Sequence, residues 1–298
     1  MGIGLHTGRV ITMRIHPAPE DHGIVFVRTD IRPDAAIPAR FENVVDTTLA
    51  TTLGSEEGIV ISTVEHLLSS FFGMGVDNAV VEVDGPEVPI MDGSAAPFVY
   101  LFQSVGIRDQ EKPKQFLVIQ RPFRLEEGDK RVSILPSKEL KVTFSIDFDH
   151  PLIQNQILEF RFSSQAYMRE ICKARTFGFL RDVYDMQRSG YARGGSLENA
   201  VVLDDYRVLN SEGLRYKDEF VRHKVLDSLG DLFLLGRPMI GHLVAHKSGH
   251  TLNHKLIKEL KAKGKGWKTV EFPSREEAMC SPFRLPALGG LDAASASP

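Results

Sequence analysis

The sequence predicts an α+β protein built from two similar α/β halves that face each other. Stretches of alternating or β-branched apolar residues are interleaved with stretches of helical periodicity. Each half also repeats one order: strands, a helix opening near a histidine (His66, His223), an exit through glycine, a strand and another helix. Between the halves, residues 108–115 (RDQEKPKQ) are polar, charged and broken by proline, which marks a domain boundary. The expected division is therefore residues 1–112, residues 113–272 and a tail, 273–298, expected to be mobile.

A chain of 298 residues has length enough for two cores, and 42% hydrophobic with 25% charged residues is the balance of a soluble globular protein. A formal net charge of -3 and scattered basic residues give no footprint for nucleic acid. The local excess from Lys255 to Lys268 reads as a solvated helix face. Two isolated cysteines, Cys172 and Cys280, cannot build a disulfide framework, so a reducing compartment, the cytoplasm, is expected. No apolar run is long enough for a membrane span, and the first residues show no signal peptide.

Residues 2–8 (GIGLHTG) are too glycine-rich for a regular element and read as a turn or close-approach loop, or as plain surface. Strands follow at 9–15 and 23–28, and a β-branched stretch at 44–53. Helical character begins at residues 62–73 (STVEHLLSSFFG), where Ser62 and Glu65 fit a capping box. Residues 79–83 form a buried strand, 86–94 a proline-set turn, and Ser94 caps a helix that runs to Val105 and stops at Gly106. In the second half, 116–125 and 131–135 flank a hairpin signal at 126–129. Val142, Phe144, Ile146 and Phe148 alternate with polar residues. A helix is expected over 164–174, then a glycine-punctuated aromatic segment over 176–202. The longest helix covers 218–236, capped by Asp218 and closed by Gly236 before Pro238. A strand over 239–245 and a helix over 251–263 complete the order.

The chemistry concentrates on the long helix. Phe220, Val225, Leu226, Leu229, Leu232 and Phe233 keep core-facing helical spacing, while His223, Asp227 and Asp231 stack four apart on one face. Such a row is either a solvated His–Asp pair or half of a metal site. The repeat brings a second histidine-bearing helix to the same interface, so His66 supplies a third donor. His66, His223 and Asp227 make an N2O set that suits zinc and also Fe(II), leaving a position open. Glu65, beside His66, is then placed as a general base, against its competing reading as the capping-box partner of Ser62. Asp231 is better used to orient a histidine than to close the metal's open position. The candidate is His250, in the glycine-hinged entry to the last helix. Paired with Asp231 it stays cationic and can protonate a leaving amine; its other reading is a polar helix-entry residue. His16, His22, His150, His242 and His254 lack such partners in the sequence.

Several stretches in register make the chain resemble the UDP-3-O-acyl-N-acetylglucosamine deacetylase family. They are residues 2–8 (GIGLHTG), 62–67 (STVEHL), 89–95 (PIMDGSA), 174–179 (ARTFGF), 204–210 (DDYRVLN), 220–224 (FVRHK) and 247–250 (KSGH). The resemblance runs from about residue 2 to 272. It implies two duplicated α/β sandwich domains with the metal at their interface, helices packed between the sheets. The reaction it implies is zinc-dependent hydrolysis of an N-acetyl group on an acylated UDP-glucosamine, in the committed step of lipid A biosynthesis. It assigns zinc to His66, His223 and Asp227, the base to Glu65, and the acid to His250 with Asp231 behind it. Thr176 is implied to hold the oxyanion, and Lys224 to meet the sugar nucleotide near its phosphates. An insert near 177–203, with Phe177, Gly195 and Ser196, is implied to form an apolar passage for the acyl chain. Core packing is the other reading of that segment. The resemblance also implies a strand ahead of the Gly2–Gly8 motif, which Met1 here precedes directly.

Two rival functions fit the residues: a metallohydrolase of another amide or ester, and a non-catalytic sugar-nucleotide or lipid binder. The set Glu65, His66, His223, Asp227, Asp231 and His250 speaks against the second, because a binder needs no base. A small-molecule substrate and a monomer are the partners and state expected.

Overall fold

The computed structural model describes residues 1–272, 277 and 280–285, so most of the expected mobile tail lies outside the described residues. The fold is α+β, with several sheets and six α-helices among the described residues. In the first half the helices are α1 (Glu65–Met74) and α2 (Ala96–Val105). In the second they are α3 (Ser164–Glu170), α4 (Leu180–Arg188), α5 (Glu219–Phe233) and α6 (His250–Lys263).

The internal repeat is visible in sheet topology. The first-half sheet has the order Met13–Pro17, Ala79–Val83, Ile24–Arg28, Ala36–Pro38, with its two middle strands parallel and both outer pairings antiparallel. The second-half sheet shows the same pattern in Lys130–Leu135, His242–His246, Lys141–Ile146, Gln156–Arg161, and adds Phe123–Glu127 on one edge. In both, a helix precedes the second of the parallel strands: α1 before Ala79–Val83 and α5 before His242–His246. A parallel pair needs such a crossover, and the apolar face of the crossover helix covers the sheet.

The two crossover helices pack on each other and carry the middle of the core. Phe220, Val225, Leu226 and Leu229 of α5 and Leu67, Leu68 and Phe71 of α1 are fully buried in one continuous apolar cluster that both halves share. Burying each such side chain contributes about 1.5–3 kcal/mol, which keeps two polar-studded helices in contact.

Several local expectations change. Ser62 and Glu65 form no capping box: α1 begins at Glu65 behind Val64, which makes no side-chain cap. Glu65 Oε2 instead accepts from the Thr51 N–H at 3.0 Å, and Ser62 Oγ accepts from the Thr52 hydroxyl. Asp218 occupies the N-cap of α5 without capping, because its carboxylate holds Arg222 Nε at 2.6 Å. Ser94 Oγ accepts from the Ala96 N–H, but the cap position is Ala95. The helix expected over 164–174 stops at Glu170, with Ser163 as its side-chain cap. The 44–53 stretch breaks into Val44–Asp46 and Thr52–Gly54, paired across a bulge. The 239–245 strand breaks at Gly241, so Met239–Ile240 pairs with Gln115–Ile119 while His242–His246 enters the larger sheet. A Cβ at Gly241 would lie 2.7 Å from Ile119 Cγ1, so the crossing point has space only for glycine. The segment after Thr176 is a strand–helix–strand unit: Phe177–Phe179 and Val201–Leu203 pair in parallel, joined through α4.

A candidate metal and hydrolytic site between the two halves

His66 lies in the first turn of α1, and His223 and Asp227 lie one turn apart on α5. All three are buried, and one donor atom from each lies within 4.8 Å of the others. His66 Nε2 and His223 Nε2 stand 3.5 Å and 3.2 Å from Asp227 Oδ1. His223 Nδ1 donates to the Ala174 carbonyl at 3.1 Å, which leaves the Nε2 lone pair turned toward the carboxylate. Asp227 Oδ1 has no hydrogen-bond partner among the described residues despite its burial. An orphaned carboxylate oxygen facing two imidazole nitrogens is what a divalent cation would satisfy, and the N2O donor set fits zinc.

Electrostatics agree with that fit. Burial drives His223 down to about 3, so the ring is neutral and free to ligate. Burial pushes the Asp227 carboxyl up. The Lys224 ammonium, whose Nζ is 2.6 Å from Oδ2, with help from His66 and the charge on His250, outweighs it and holds Asp227 well below the usual carboxylate range.

The groups around the cluster come from three helices. Glu65 Oε1 is 3.8 Å from His250 Nε2. Burial raises the Glu65 carboxyl above its ordinary value, against the pull of His250 and His66. His250 Nδ1 donates to Asp231 Oδ2 at 3.0 Å. Burial lowers His250, but the Asp231 charge and hydrogen bond more than offset it and set the ring at about 9. Asp231 is further fixed by Asn253 Nδ2 at 2.8 Å and the Thr51 hydroxyl at 2.7 Å. The space therefore presents a carboxylate with raised basicity beside an imidazolium.

Residues 1–262 match the family described as UDP-3-O-acyl N-acetylglycosamine deacetylase. The chain belongs to this family. It is 53% identical over 275 residues to the UDP-3-O-acyl-N-acetylglucosamine deacetylase of Myxococcus xanthus, covering 92% of this chain and 87% of that one. The enzyme of the same name from Syntrophus aciditrophicus is 53% identical over 276 residues (93% and 87%), and that of Shewanella violacea 50% over 289 residues (96% and 94%). In this member of the deacetylase family, as in the relatives' shared name, amide hydrolysis is the activity to which the site must answer.

The other expected site residues spread around this centre. Thr176 follows the His223-bound Ala174 by two residues, and its N–H donates to the Gly93 carbonyl at 2.8 Å. Gly93, at φ +84°, has no room for a side chain, since a Cβ would sit 2.1 Å from the Asn199 carbonyl oxygen. Beside Thr176, buried Arg175 and Glu219 pair at 2.9 Å. Phe177 stacks edge-on to Phe220 and His223, with ring centroids 5.0 Å and 6.2 Å away. Together with Phe148 and Phe179 it lines an aromatic wall leading from His223. Gly195 and Ser196 are exposed in the turn that closes this unit, and the Ser196 hydroxyl accepts from the Glu198 N–H. They stand at the outer end of the segment and do not touch the cluster.

Against the expectation of no regular element over residues 2–8, Gly2–Ile3 is a short strand paired antiparallel with Val10–Ile11, and the remainder is a close-approach loop. Gly4 and Gly194 meet so tightly that a Cβ on Gly194 would sit 2.2 Å from the Gly4 carbonyl oxygen. The loop is held by Glu87, fully buried, which accepts from the His6 and Thr7 N–H groups at 2.9 and 3.0 Å and the Thr7 and Thr63 hydroxyls at 2.9 and 3.0 Å. Thr63 has φ +57°, a strained conformation for a β-branched residue, two positions before Glu65. Sequence reasoning missed Thr51, Glu87 and Asn253. Glu87 sat inside a stretch read as a proline turn, and its buried position between Pro86 and Pro89 had no signal in spacing.

Among the five histidines expected to lack partners, His16 faces Glu82 at 3.2 Å, and His22 Nδ1 meets the Gly23 carbonyl. His150 Nε2 meets the Asp204 carbonyl and His242 Nε2 the Thr143 hydroxyl. His254 is buried with both ring nitrogens unpaired among the described residues. None of the five joins the donor set, because each sits on a sheet or loop away from the α1–α5 contact or, for His254, farther along α6. No helix of the described residues is long and apolar enough to cross a membrane.

Proposed function

We propose that the chain is a zinc-dependent deacetylase that hydrolyses the N-acetyl group of UDP-3-O-acyl-N-acetylglucosamine, releasing acetate in the committed step of lipid A biosynthesis. The observation that carries this is the convergence of His66, His223 and Asp227 with the Glu65–His250 pair alongside. His66, His223 and Asp227 are the ligands in this reading, and Fe(II) is a second ion that the donors accept. When bound, such an ion supplies Lewis-acid polarisation of an amide carbonyl and makes water more acidic.

The residues of the chain do the rest. Glu65 takes the proton from the attacking water, for which its raised basicity suits it. His250, kept protonated by Asp231, donates to the departing amine nitrogen and stabilises developing negative charge. Thr176 adds a hydroxyl toward the oxyanion. Lys224 meets the nucleotide near its phosphates, and Phe177, with Gly195 and Ser196 farther out, borders the acyl passage. Residues 1–112 and 113–272 are read as the two duplicated domains, the enzyme as a cytoplasmic monomer.

The test is acetate release from the defined substrate while zinc, and separately Fe(II), is titrated into chelated protein. Metal-dependent release that weakens when the 3-O-acyl chain is removed is the expected outcome. Protein that binds no metal and shows no chelator-sensitive hydrolysis would refute it.

A further inference from the structure

The base, the acid and the acid's carboxylate partner stand on α1, α6 and α5, so their mutual spacing depends on three helices holding station. One residue outside all three touches two of the groups. Thr51 is buried, at 2% exposure, at the entry to the strand Thr52–Gly54. Its N–H donates to Glu65 Oε2 at 3.0 Å. Its hydroxyl donates to Asp231 Oδ1 at 2.7 Å. Its carbonyl accepts from the Val64 N–H, the cap position of α1, at 3.4 Å.

We propose that Thr51 is a positioning residue that sets the distance between Glu65 and the Asp231–His250 pair. Its N–H leaves Glu65 Oε1 as the oxygen that faces His250. Its hydroxyl occupies Asp231 Oδ1, so that Oδ2 is the oxygen closer to His250 Nδ1, at 3.0 Å against 3.2 Å for Oδ1. Asn253 holds the same Oδ2 from the other side, so the carboxylate is fixed at both oxygens. Loss of the hydroxyl frees the carboxylate to rotate, and the imidazole follows it. A purely architectural threonine would matter through its buried methyl and its backbone, which valine retains.

The inference rests on Glu65 and His250 being base and acid, and the experiment separates the two. Thr51→Val and Thr51→Ser are compared in the zinc-loaded enzyme. A hydrogen bond to a charged group is worth enough that T51V should lose about 10- to 100-fold in kcat. KM should hold, and T51S should recover most of the rate. In metal-free protein, the downfield Nδ1–H proton resonance of His250 should move or broaden in T51V and return in T51S. Should T51V not fold, Thr51→Ala carries the same comparison. An unchanged kcat and resonance in T51V, or equal losses in T51V and T51S, would overturn the proposal. Wild-type protein that releases no acetate, yet shows the resonance change, would sink the functional reading and leave Thr51's positioning role standing.

Discussion

Gly230 of α5 lies flat against the main chain of Glu65 in α1: a Cβ there would come within 2.1 Å of the Glu65 carbonyl oxygen and 3.0 Å of its Cα. The contact is backbone to side-chain-free backbone, and neither partner can yield without moving a helix. Because Glu65 and His66 lie on one side of it and Asp227 and Asp231 on the other, this approach sets the span of the donor cluster.

Gly230→Ala should therefore push α1 and α5 apart. The expected outcome is a loss of about 1–3 kcal/mol in stability from overpacking, together with weaker metal retention, whereas Gly178→Ala, where a Cβ meets nothing within 4 Å and φ is not positive, should change neither. Chemical denaturation and a metal-binding titration on the same samples check it.

His250 gives a prediction with a definite sign. Its folded value, about 9, is above the ordinary 6.5, so its pairing with Asp231 stabilises the fold fully below about pH 6.5. That contribution disappears as pH rises through about 9. The stability gap between wild type and His250→Gln should thus narrow from pH 6 to pH 10 in urea titrations. In turnover the same proton is needed for the leaving group, so the alkaline limb of kcat should fall near pH 9.

Metal removal should be read in stability as well as rate. A ligand that binds only the folded chain, at about a thousandfold excess over its Kd, adds about 4 kcal/mol. Chelation should lower the Tm and added zinc should restore it. Asp227→Ala, which takes away the orphaned carboxylate oxygen, should abolish both the zinc-induced shift and acetate release. A zinc shift preserved in that variant would argue against the assigned ligands.

Glu87 presents both of its oxygens to pairs of donors: His6 and Thr63 on Oε1, Thr7 twice on Oε2. Glutamine must turn an NH2 toward one pair, whichever way it flips. Glu87→Gln should cost about 1–3 kcal/mol through the unmatched donors, and it should expose the Gly2–Gly8 loop to faster amide hydrogen exchange. Exchange rates over residues 2–8 equal to wild type would count against the clamp.

How much of this could be read from the chain alone follows from the range of each interaction. The row His223, Asp227, Asp231 obeys helical geometry, so its facing direction was legible, and the repeat placed His66 opposite it. The strand 79–83 was legible because its β-branched residues Val80, Val81 and Val83 cluster in a short segment, with Ala79, Val81 and Val83 on the buried face. The Ser62–Glu65 capping box failed because a tertiary partner, Thr51, took the carboxylate that local spacing had assigned to the helix start. The 239–245 strand failed at Gly241, where the reason for the break is the side chain of Ile119, over a hundred positions away. Contacts of that reach leave no periodic trace.

The division of the donors between the halves has an outcome for synthesis. Neither the histidine before residue 70 nor the pair after residue 220 can grip an ion by itself. With the proposed ligands, a nascent chain leaving the ribosome would capture its metal only once α5 had emerged and docked on α1. Loading would then be a late event, and the ion would act as a seal on a completed fold.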